Sequence, residues 1–269
     1  MRGWFSREYE PVDTVEPGRS VSFHTLAAFW RWDPDVEPER PEGAGHPLHG
    51  PIEVRGARAG QTLVVHIDEV VPRDWGRTWA KDETFTWSLE GGWWRLGERR
   101  VRSAPFLGVI GMPPPEPGEH PTTPPRRWGG NIDCKELVAG TTLYLPIPVE
   151  GALLMAGDGH GAQGDGEVSG TAIECPLERA TLTLDLDDRE LRSPIARTAD
   201  AWLAFGFDED LDAAAEQATE TMLDLLEREL AVSRPEALAL ASVAVDLRVT
   251  QVVNQVKGVH AVLSDDAIR

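Results

Sequence analysis

Alternating apolar and polar positions predict β-strands over much of the chain. In residues 61–71 apolar side chains recur at every second position, at Leu63, Val65 and Ile67, which places them on one face of an extended strand. The same pattern predicts further strands in four segments, Pro51–Ala57, Thr141–Val149, Ala152–Ala156 and Ala180–Leu186.

Two connecting segments have turn-forming compositions. Arg58-Ala59-Gly60 lies between the first two predicted strands and suits a β-hairpin connection. Residues 105–125 carry eight of the 21 prolines, which predicts neither helix nor central strand there, because proline lacks a backbone N–H. This segment either links two β-rich halves or forms an ordered loop beside a site.

Helical periodicity is confined to the last third of the chain. Apolar residues recur at helical spacing in Glu209–Leu230, with acidic residues on the other face. Ser233-Arg234-Pro235-Glu236 has the pattern of a capping box with proline in the first turn, which predicts a second helix to about Asp246.

Composition and charge exclude several classes of protein. Hydrophobic residues make up 41% and charged residues 26% of the chain, as in globular domains, and the net charge of −19 repels nucleic acid and anionic lipid. Two cysteines are too few for a disulfide scaffold. Since neither a secretory signal nor an apolar run of 18 residues is visible, we expect a soluble, cytoplasmic protein.

The segment 157–167, Gly-Asp-Gly-His-Gly-Ala-Gln-Gly-Asp-Gly-Glu, is the richest in candidate chemistry. Asp158 and His160 are two residues apart, as are Asp165 and Glu167, so each pair shares a face if the chain is extended. Gly159, Gly161 and Gly164 match the dinucleotide-binding fingerprint, but the glycines that follow argue against the helix that it requires. The ligand spacing of an EF-hand is absent, which leaves a metal or catalytic site or a plain Gly-Asp turn.

Other candidate groups lie on both sides of this segment. Asn131 and Asp133 follow the proline-rich segment, and Glu174 ends a strand-like piece. An Asp/His/Glu set of this kind can hold a zinc ion while leaving one position for water. Cys134-Lys135-Glu136 contains the residue types of a nitrilase-like amidase, but a thiol nucleophile is the weaker interpretation. We interpret the remaining candidate histidines as structural, namely His24, His46, His49 and His260.

Taken together, these segments resemble the acetamidase/formamidase family from about His46 to Leu263. The resemblance is carried by ordered blocks: His46–Ile52 with Val54 and Gly56-Ala57, Gly108–Gly111, Gly129–Asn131 with Asp133, Gly151-Ala152, Gly157-Asp158 with His160, Gln163–Glu167, Thr171–Glu174, Asp246–Asn254 and Gly258-Val259. It implies a mainly β fold with sandwich-like sheets and C-terminal helices. It also implies hydrolysis of short amides to a carboxylate and ammonia, and a homo-oligomer. We expect residues 1–269 to form a single domain, or two β-rich halves joined by residues 105–125.

With that activity in view, each candidate residue receives a hypothetical role. A divalent metal, zinc with calcium as the alternative, is held by Asp133, Asp158 and His160, and lowers the pKa of its water to about 7. The catalytic carboxyl groups that transfer protons are Glu167 and Glu174. The polar groups that bind and orient the amide substrate are Asn131, Gln163 and Asp165.

Three positions depart from the family pattern. Ala27 stands where an aspartate is expected, Gln61 replaces a Gly-Asp pair, and Ser169 replaces a frequent cysteine. If the acid missing at Ala27 belongs to the active site, the alternative is a binding protein on the same scaffold that is non-catalytic or altered in substrate.

Overall fold

The computed structural model describes residues 1–268, which form seventeen strands and two helices. In chain order they are β1 (Asp13–Val15), β2 (Arg19–Thr25), β3 (Leu48–Val54), β4 (Thr62–Pro72), β5 (Trp75–Ala80), β6 (Glu83–Glu90), β7 (Trp93–Leu96), β8 (Arg99–Arg102), β9 (Phe106–Gly111), β10 (Gly129–Asn131), β11 (Thr142–Pro146), β12 (Leu154–His160), β13 (Leu177–Asp187), β14 (Ile195–Arg197), β15 (Ala201–Asp208), α1 (Leu211–Leu230), α2 (Arg234–Ala244), β16 (Val245–Gln251) and β17 (Lys257–Ser264).

Two large sheets form a sandwich around one main core. The first sheet has the strand order β1-β3-β12-β9-β10, and the second has the order β16-β17-β15-β14-β11-β4-β13-β2. Their buried apolar side chains belong to the same cluster, in which Leu107 and Leu154 of the first sheet join Val65 and Leu182 of the second. A separate antiparallel sheet contains β5–β8. The prediction of a mainly β fold with sandwich-like sheets and C-terminal helices is confirmed.

Strand β4 shows why the alternation was informative. Leu63, Val65 and Ile67 are at most 1% exposed, and the strand pairs with β11 on one side and β13 on the other. Burying one apolar face of a strand fixes its register, since a shift by one residue would turn these side chains to the opposite face.

The predicted hairpin at Arg58-Ala59-Gly60 is wrong. Strand β3 pairs with β1 and β12 in the first sheet, whereas β4 pairs with β11 and β13 in the second. The turn therefore carries the chain from one sheet to the other, and a short turn between two alternating segments does not distinguish these two outcomes.

The proline-rich segment also contains an element that the sequence analysis excluded. Phe106–Gly111 forms β9, a fully buried central strand between β12 and β10. Its six residues contain no proline; Pro105 precedes them and the other prolines of the segment follow. Strands from before and after the segment pair with one another, β3 with β12, so it does not separate two independently paired halves.

The two helices differ from their predictions only at the ends. Asp210 caps α1 by accepting hydrogen bonds from the backbone N–H groups of Asp212 and Ala213. Ser233 is the N-cap of α2, but within residues 1–268 its side chain makes no capping hydrogen bond, so the predicted capping box is not formed. Helix α2 ends at Ala244 because the chain continues directly into β16, which pairs with β17. In the described chain neither helix is long and apolar enough to cross a membrane.

Strand β12 occupies the position from which a site can be built. It is buried along its whole length, and it pairs with β3 and β9 on its two sides. The pairing with β9 extends to His160, whereas the pairing with β3 ends at Gly157, so β9 holds the C-terminal end of the strand.

We predict that Gly206→Ala destabilises the fold. A Cβ at Gly206 of β15 would lie 2.1 Å from the carbonyl oxygen of Ala214 and 2.4 Å from the backbone nitrogen of Ala218, both in α1. The helix would have to move away from the sheet, at a cost of about 1–3 kcal/mol or more in the free energy of unfolding. Urea unfolding measures this loss.

Gly164→Ala is the matched control for that measurement. A Cβ at Gly164 would have no heavy atom within 4 Å among the described residues. Its free energy of unfolding should stay within about 0.5 kcal/mol of the parent protein. Equal destabilisation of both variants would contradict the packing argument.

Candidate active site

A buried cluster of carboxyl and imidazole groups lies at the C-terminal end of β12. Asp158 and His160 are 2% and 1% exposed, and His160 Nε2 lies 3.3 Å from Asp158 Oδ2. The two side chains meet although Asp158 has a φ of +62° and so departs from extended strand geometry.

Three further acidic residues reach the same cluster from irregular segments. Asp133 follows β10 with a φ of +52° and accepts a 2.5 Å hydrogen bond at Oδ2 from Asn254 Nδ2. Glu174 forms isolated bridges with His160 and Arg77. Glu167 has a φ of +46° and is 6% exposed. Left-handed backbone at non-glycine residues is strained, and such strain is concentrated at functional sites.

The orientation of the His160 ring is fixed by Gln163. His160 Nδ1 lies 3.0 Å from Gln163 Oε1, while Gln163 Nε2 donates to the backbone oxygen of Asp133 at 2.7 Å. With Nδ1–H donating to this amide, Nε2 is the atom that faces Asp158 Oδ2 and Glu174 Oε2, the latter at 3.4 Å.

Burial and mutual repulsion separate the acidities of these carboxyl groups. Burial, more than the nearby carboxylates, raises the pKa of Asp133 to about 7. Burial and Asp133 raise the pKa of Glu167 to about 10. Burial by itself would raise the pKa of Asp158 as well, but the nearby side chains of His46 and His160 lower it to about 2. The pKa of His160 is raised well above its usual value because Glu174 and Asp158 outweigh the effect of burial.

Several buried oxygen atoms of the cluster have no hydrogen-bond partner in the described chain and could bind a cation. Four buried oxygens of the cluster have no hydrogen-bond partner among residues 1–268: Asn131 Oδ1, Asp133 Oδ1, Asp158 Oδ1 and Glu174 Oε2. Unpaired buried carboxylate oxygens are costly unless a cation binds them. Asp133, Asp158 and His160 can each offer one ligand atom within 4.8 Å of the others, and His160, Glu167 and Glu174 form a second set. The residues therefore fit a divalent metal.

Gly108 of β9 keeps the space between these ligands open. A Cβ at this position would lie 2.6 Å from both Asp133 Oδ1 and Asp158 Oδ2, and 2.8 Å from His160 Cε1. Any larger residue at position 108 would occupy the space between the ligand atoms.

The cluster opens into a cavity of about 210 Å³. This volume is below the roughly 300–1,000 Å³ typical of sites for drug-sized ligands, so the cavity suits a small molecule. Phe29 and Trp79 form an apolar wall, with their rings in edge contact at 4.9 Å between centroids. Asn131 and Thr171 add further polar groups to the cavity lining.

Six of the eight predicted site residues line this cavity: Asn131, Asp133, Asp158, His160, Glu167 and Glu174. Gln163 contacts His160 and the backbone of Asp133 instead. Asp165 does not face the same way as Glu167; it pairs with Lys135 at 2.8 Å and its side chain is 34% exposed.

Two of the cavity residues that the sequence analysis did not assign to the site lie beside its carboxylates. His46 lines the cavity, with Nε2 4.0 Å from Asp158 Oδ2 and Nδ1 2.9 Å from Thr122 Oγ1, although we had interpreted it as structural. Asn254 also lines it and holds Asp133. Both belong to blocks that carry the family resemblance, and that membership was the available signal.

The three departures from the family pattern occupy different surroundings. Ala27 is fully buried, directly before Ala28 and Phe29 of the cavity wall. Gln61 donates to Asp188 Oδ1 in a turn outside the cavity. Ser169 is exposed, next to the cavity residues Gly170 and Thr171.

Neither cysteine is suited to act as the nucleophile. Cys134 and Cys175 are fully buried, and burial raises the pKa of each thiol. A nucleophilic cysteine needs a lowered pKa and access to substrate.

We predict that Gly108→Ala weakens cation binding at the cluster. The added methyl group would displace the carboxylates of Asp133 and Asp158, so affinity for zinc should fall at least about 10-fold. Calorimetric titration of the chelated protein measures it, with Gly164→Ala as control. Unchanged affinity in Gly108→Ala would contradict the proposed ligand set.

We also predict that the metal-free protein loses stability as pH rises from 5 to 9. The pKa of Glu167 is about 10 in the folded protein against an ordinary value of 4.5, so the folded state retains a proton that the unfolded chain releases. The free energy of unfolding then falls with pH, by at most about 1.4 kcal/mol per pH unit for one proton. Glu167→Gln should reduce the slope in urea unfolding at several pH values, and an identical slope would refute the role of Glu167.

Comparison with known proteins finds relatives that share the sequence family and the fold. A model of the Acetamidase/Formamidase family matches residues 118–192. The crystal structure of an acetamidase from Bacillus halodurans shares 31% identity, with a TM-score of 0.89 over 97% of this chain and 94% of that one. A predicted acetamidase/formamidase from Thermoanaerobacter tengcongensis shares 27% identity, with a TM-score of 0.90 over 97% and 92% of the two chains.

A shorter match extends to a curated relative. The acetamidase of Mycolicibacterium smegmatis is 50% identical over 48 residues, which span 18% of this chain but only 12% of that protein. The two-layered β fold, the buried cluster and the full-length similarity to the Bacillus halodurans acetamidase lead to one conclusion: this chain belongs to the acetamidase/formamidase family.

Proposed function

We propose that the protein hydrolyses a short linear amide, of the formamide or acetamide type, to a carboxylate and ammonia. The observation that carries this proposal is the small cavity in which unpaired carboxylate oxygens face an amide group and an apolar wall. Membership of the family supports the same reaction class.

The cavity has separate surfaces for the two ends of such a substrate. Asn131 Oδ1 is buried and has no partner within residues 1–268, so it can accept a hydrogen bond from the NH₂ group of an amide. Phe29 and Trp79 would contact a hydrogen or methyl acyl substituent. The limited volume favours short acyl groups over long ones.

We propose that Asp133, Asp158 and His160 hold a divalent metal. When bound, such a metal activates water near neutral pH and polarises the substrate carbonyl. A set with one imidazole nitrogen favours zinc over calcium, because calcium takes oxygen ligands. Gln163 acts as a positioning residue, since it fixes the His160 ring and the Asp133 backbone.

Two carboxyl groups divide the proton transfers. Glu174 has an unpaired Oε2 that faces the cavity cluster, and we assign it the proton of the attacking water. Glu167, which lines the cavity and is 6% exposed, is assigned the proton donated to the leaving nitrogen. The carbon–nitrogen bond then breaks, and the products are the carboxylate and ammonia.

The first test is ammonia release from formamide and acetamide, with metal content measured in the same sample. We expect turnover that is lost on chelation and restored by Zn²⁺. Full activity in metal-free protein would overturn the metal-dependent mechanism, while leaving amide hydrolysis itself in place.

Glu174→Gln tests the assigned base. Removing a general base costs typically 10²–10⁴-fold in rate, so kcat should fall by about this factor while the protein still binds zinc. Glu178→Gln, at an exposed position of β13, is the matched control and should keep full activity. Comparable activity in both variants would remove Glu174 from the mechanism.

A binding protein without catalysis on the same scaffold is the second candidate, and the buried Ala27 beside the cavity wall favours it. Thermal stabilisation by acetamide without ammonia release would support this function.

The homo-oligomeric state and the cytoplasmic location stay predictions.

A further inference from the structure

A second group of ligand-type side chains lies outside the cavity. Cys134, Glu136 and His260 each offer one atom, and the three atoms lie within 4.8 Å of one another. None of the three lines the cavity that contains Asp158 and His160. The proposed hydrolysis gives them no role.

The spacing of the three atoms suits a tetrahedral metal centre. Glu136 Oε2 lies 3.2 Å from Cys134 Sγ and 3.8 Å from His260 Nε2. Zinc binds sulfur at about 2.3 Å and nitrogen or oxygen at about 2.0–2.2 Å, so ligand atoms around one ion lie roughly 3.3–3.8 Å apart. Small side-chain shifts would bring all three atoms to bonding distance.

His260 is oriented as metal-binding histidines are. Its Nδ1 lies 2.8 Å from Thr250 Oγ1, which leaves Nε2 directed towards Glu136. The residue is fully buried, and within residues 1–268 Nε2 has no hydrogen-bond partner. A hydrogen bond that fixes one ring nitrogen while the other faces a ligand cluster is the usual arrangement at metal sites.

Glu136 is also oriented by a partner on its other oxygen. Oε1 accepts from Arg248 Nη1 at 3.2 Å, while Oε2 faces Cys134 and His260. Glu136 and Arg248 line a surface depression of about 380 Å³, which provides a route for an ion. Three protein ligands would leave the fourth position to solvent from this depression.

A hydrogen-bonded thiol is the simpler alternative. Cys134 can donate its S–H to Glu136 Oε2, which accounts for the 3.2 Å distance. It leaves His260 Nε2 buried without a partner, however, and such a group is costly. A cation bound to all three atoms satisfies them together, since a coordinated thiol releases its proton to solvent.

We propose that Cys134, Glu136 and His260 form a second metal site, specific for zinc-class transition metals because it combines thiolate with imidazole. The site joins the segment that follows Asp133 to strand β17, which belongs to the second sheet. The proposal does not depend on the proposed function.

Cobalt substitution tests the proposal. The full chain is stripped with chelator under reducing conditions, titrated with Co²⁺, and analysed for bound metal and absorption. We expect two Co²⁺ per chain and a near-ultraviolet thiolate-to-cobalt charge-transfer band, which an oxygen and nitrogen site cannot produce. Absence of this band in the saturated parent protein overturns the proposal, whatever the behaviour of any variant.

Paired variants assign the band to this site. Cys134→Ser should lose the band and one Co²⁺, and should lose the zinc-dependent rise in melting temperature that this site contributes. His160→Ala should lose the other Co²⁺ and keep the band. Cys175→Ser, at the other buried cysteine, should keep both ions. A band that persists in Cys134→Ser, or disappears only in Cys175→Ser, contradicts the assignment.

Discussion

The burial of several carboxyl groups around one histidine is the constraint on which the site depends. Asp133, Asp158 and Glu174 surround His160 at the end of β12, all at most 3% exposed. Burial is the largest cause of the raised pKa values of Asp133 and Glu167, and repulsion among the carboxylates adds to it. A divalent cation bound among these groups would stabilise their charged forms, which links the electrostatics of the fold to its proposed chemistry.

The two sheets supply the rigidity that such a cluster needs. Strands β3 and β9 hold β12 on both sides, and Gly108 of β9 keeps the ligand atoms free of a neighbouring side chain. The remaining acidic residues come from irregular backbone, and three site residues, Asp133, Asp158 and Glu167, adopt positive φ. Strand pairing thus holds β12 in place, while strained backbone positions carboxylates both within this strand and in the loops.

Local patterns in the sequence predicted five of the seventeen strands within residues 1–268, namely β3, β4, β11, β12 and β13. Alternation located β4 and β13, and the spacing of Asp158 and His160 indicated a shared strand face. Partner choice was harder, because a turn such as Arg58-Ala59-Gly60 has the same composition whether it stays in one sheet or changes sheet. Residues contributed from distant segments, such as His46 and Asn254, carry no local signal for their role. Asp165 shows the converse error, since alternation near Glu167 fails where the backbone turns at Gly166, whose φ is +92°.

The most direct test of the account is an anomalous difference map at the zinc edge from crystals of catalytically active protein. The account predicts a peak among Asp133, Asp158 and His160, beside the cavity bounded by Phe29 and Trp79. Active protein whose crystals contain no peak at this position would contradict the central claim that a cation held by these residues carries the reaction.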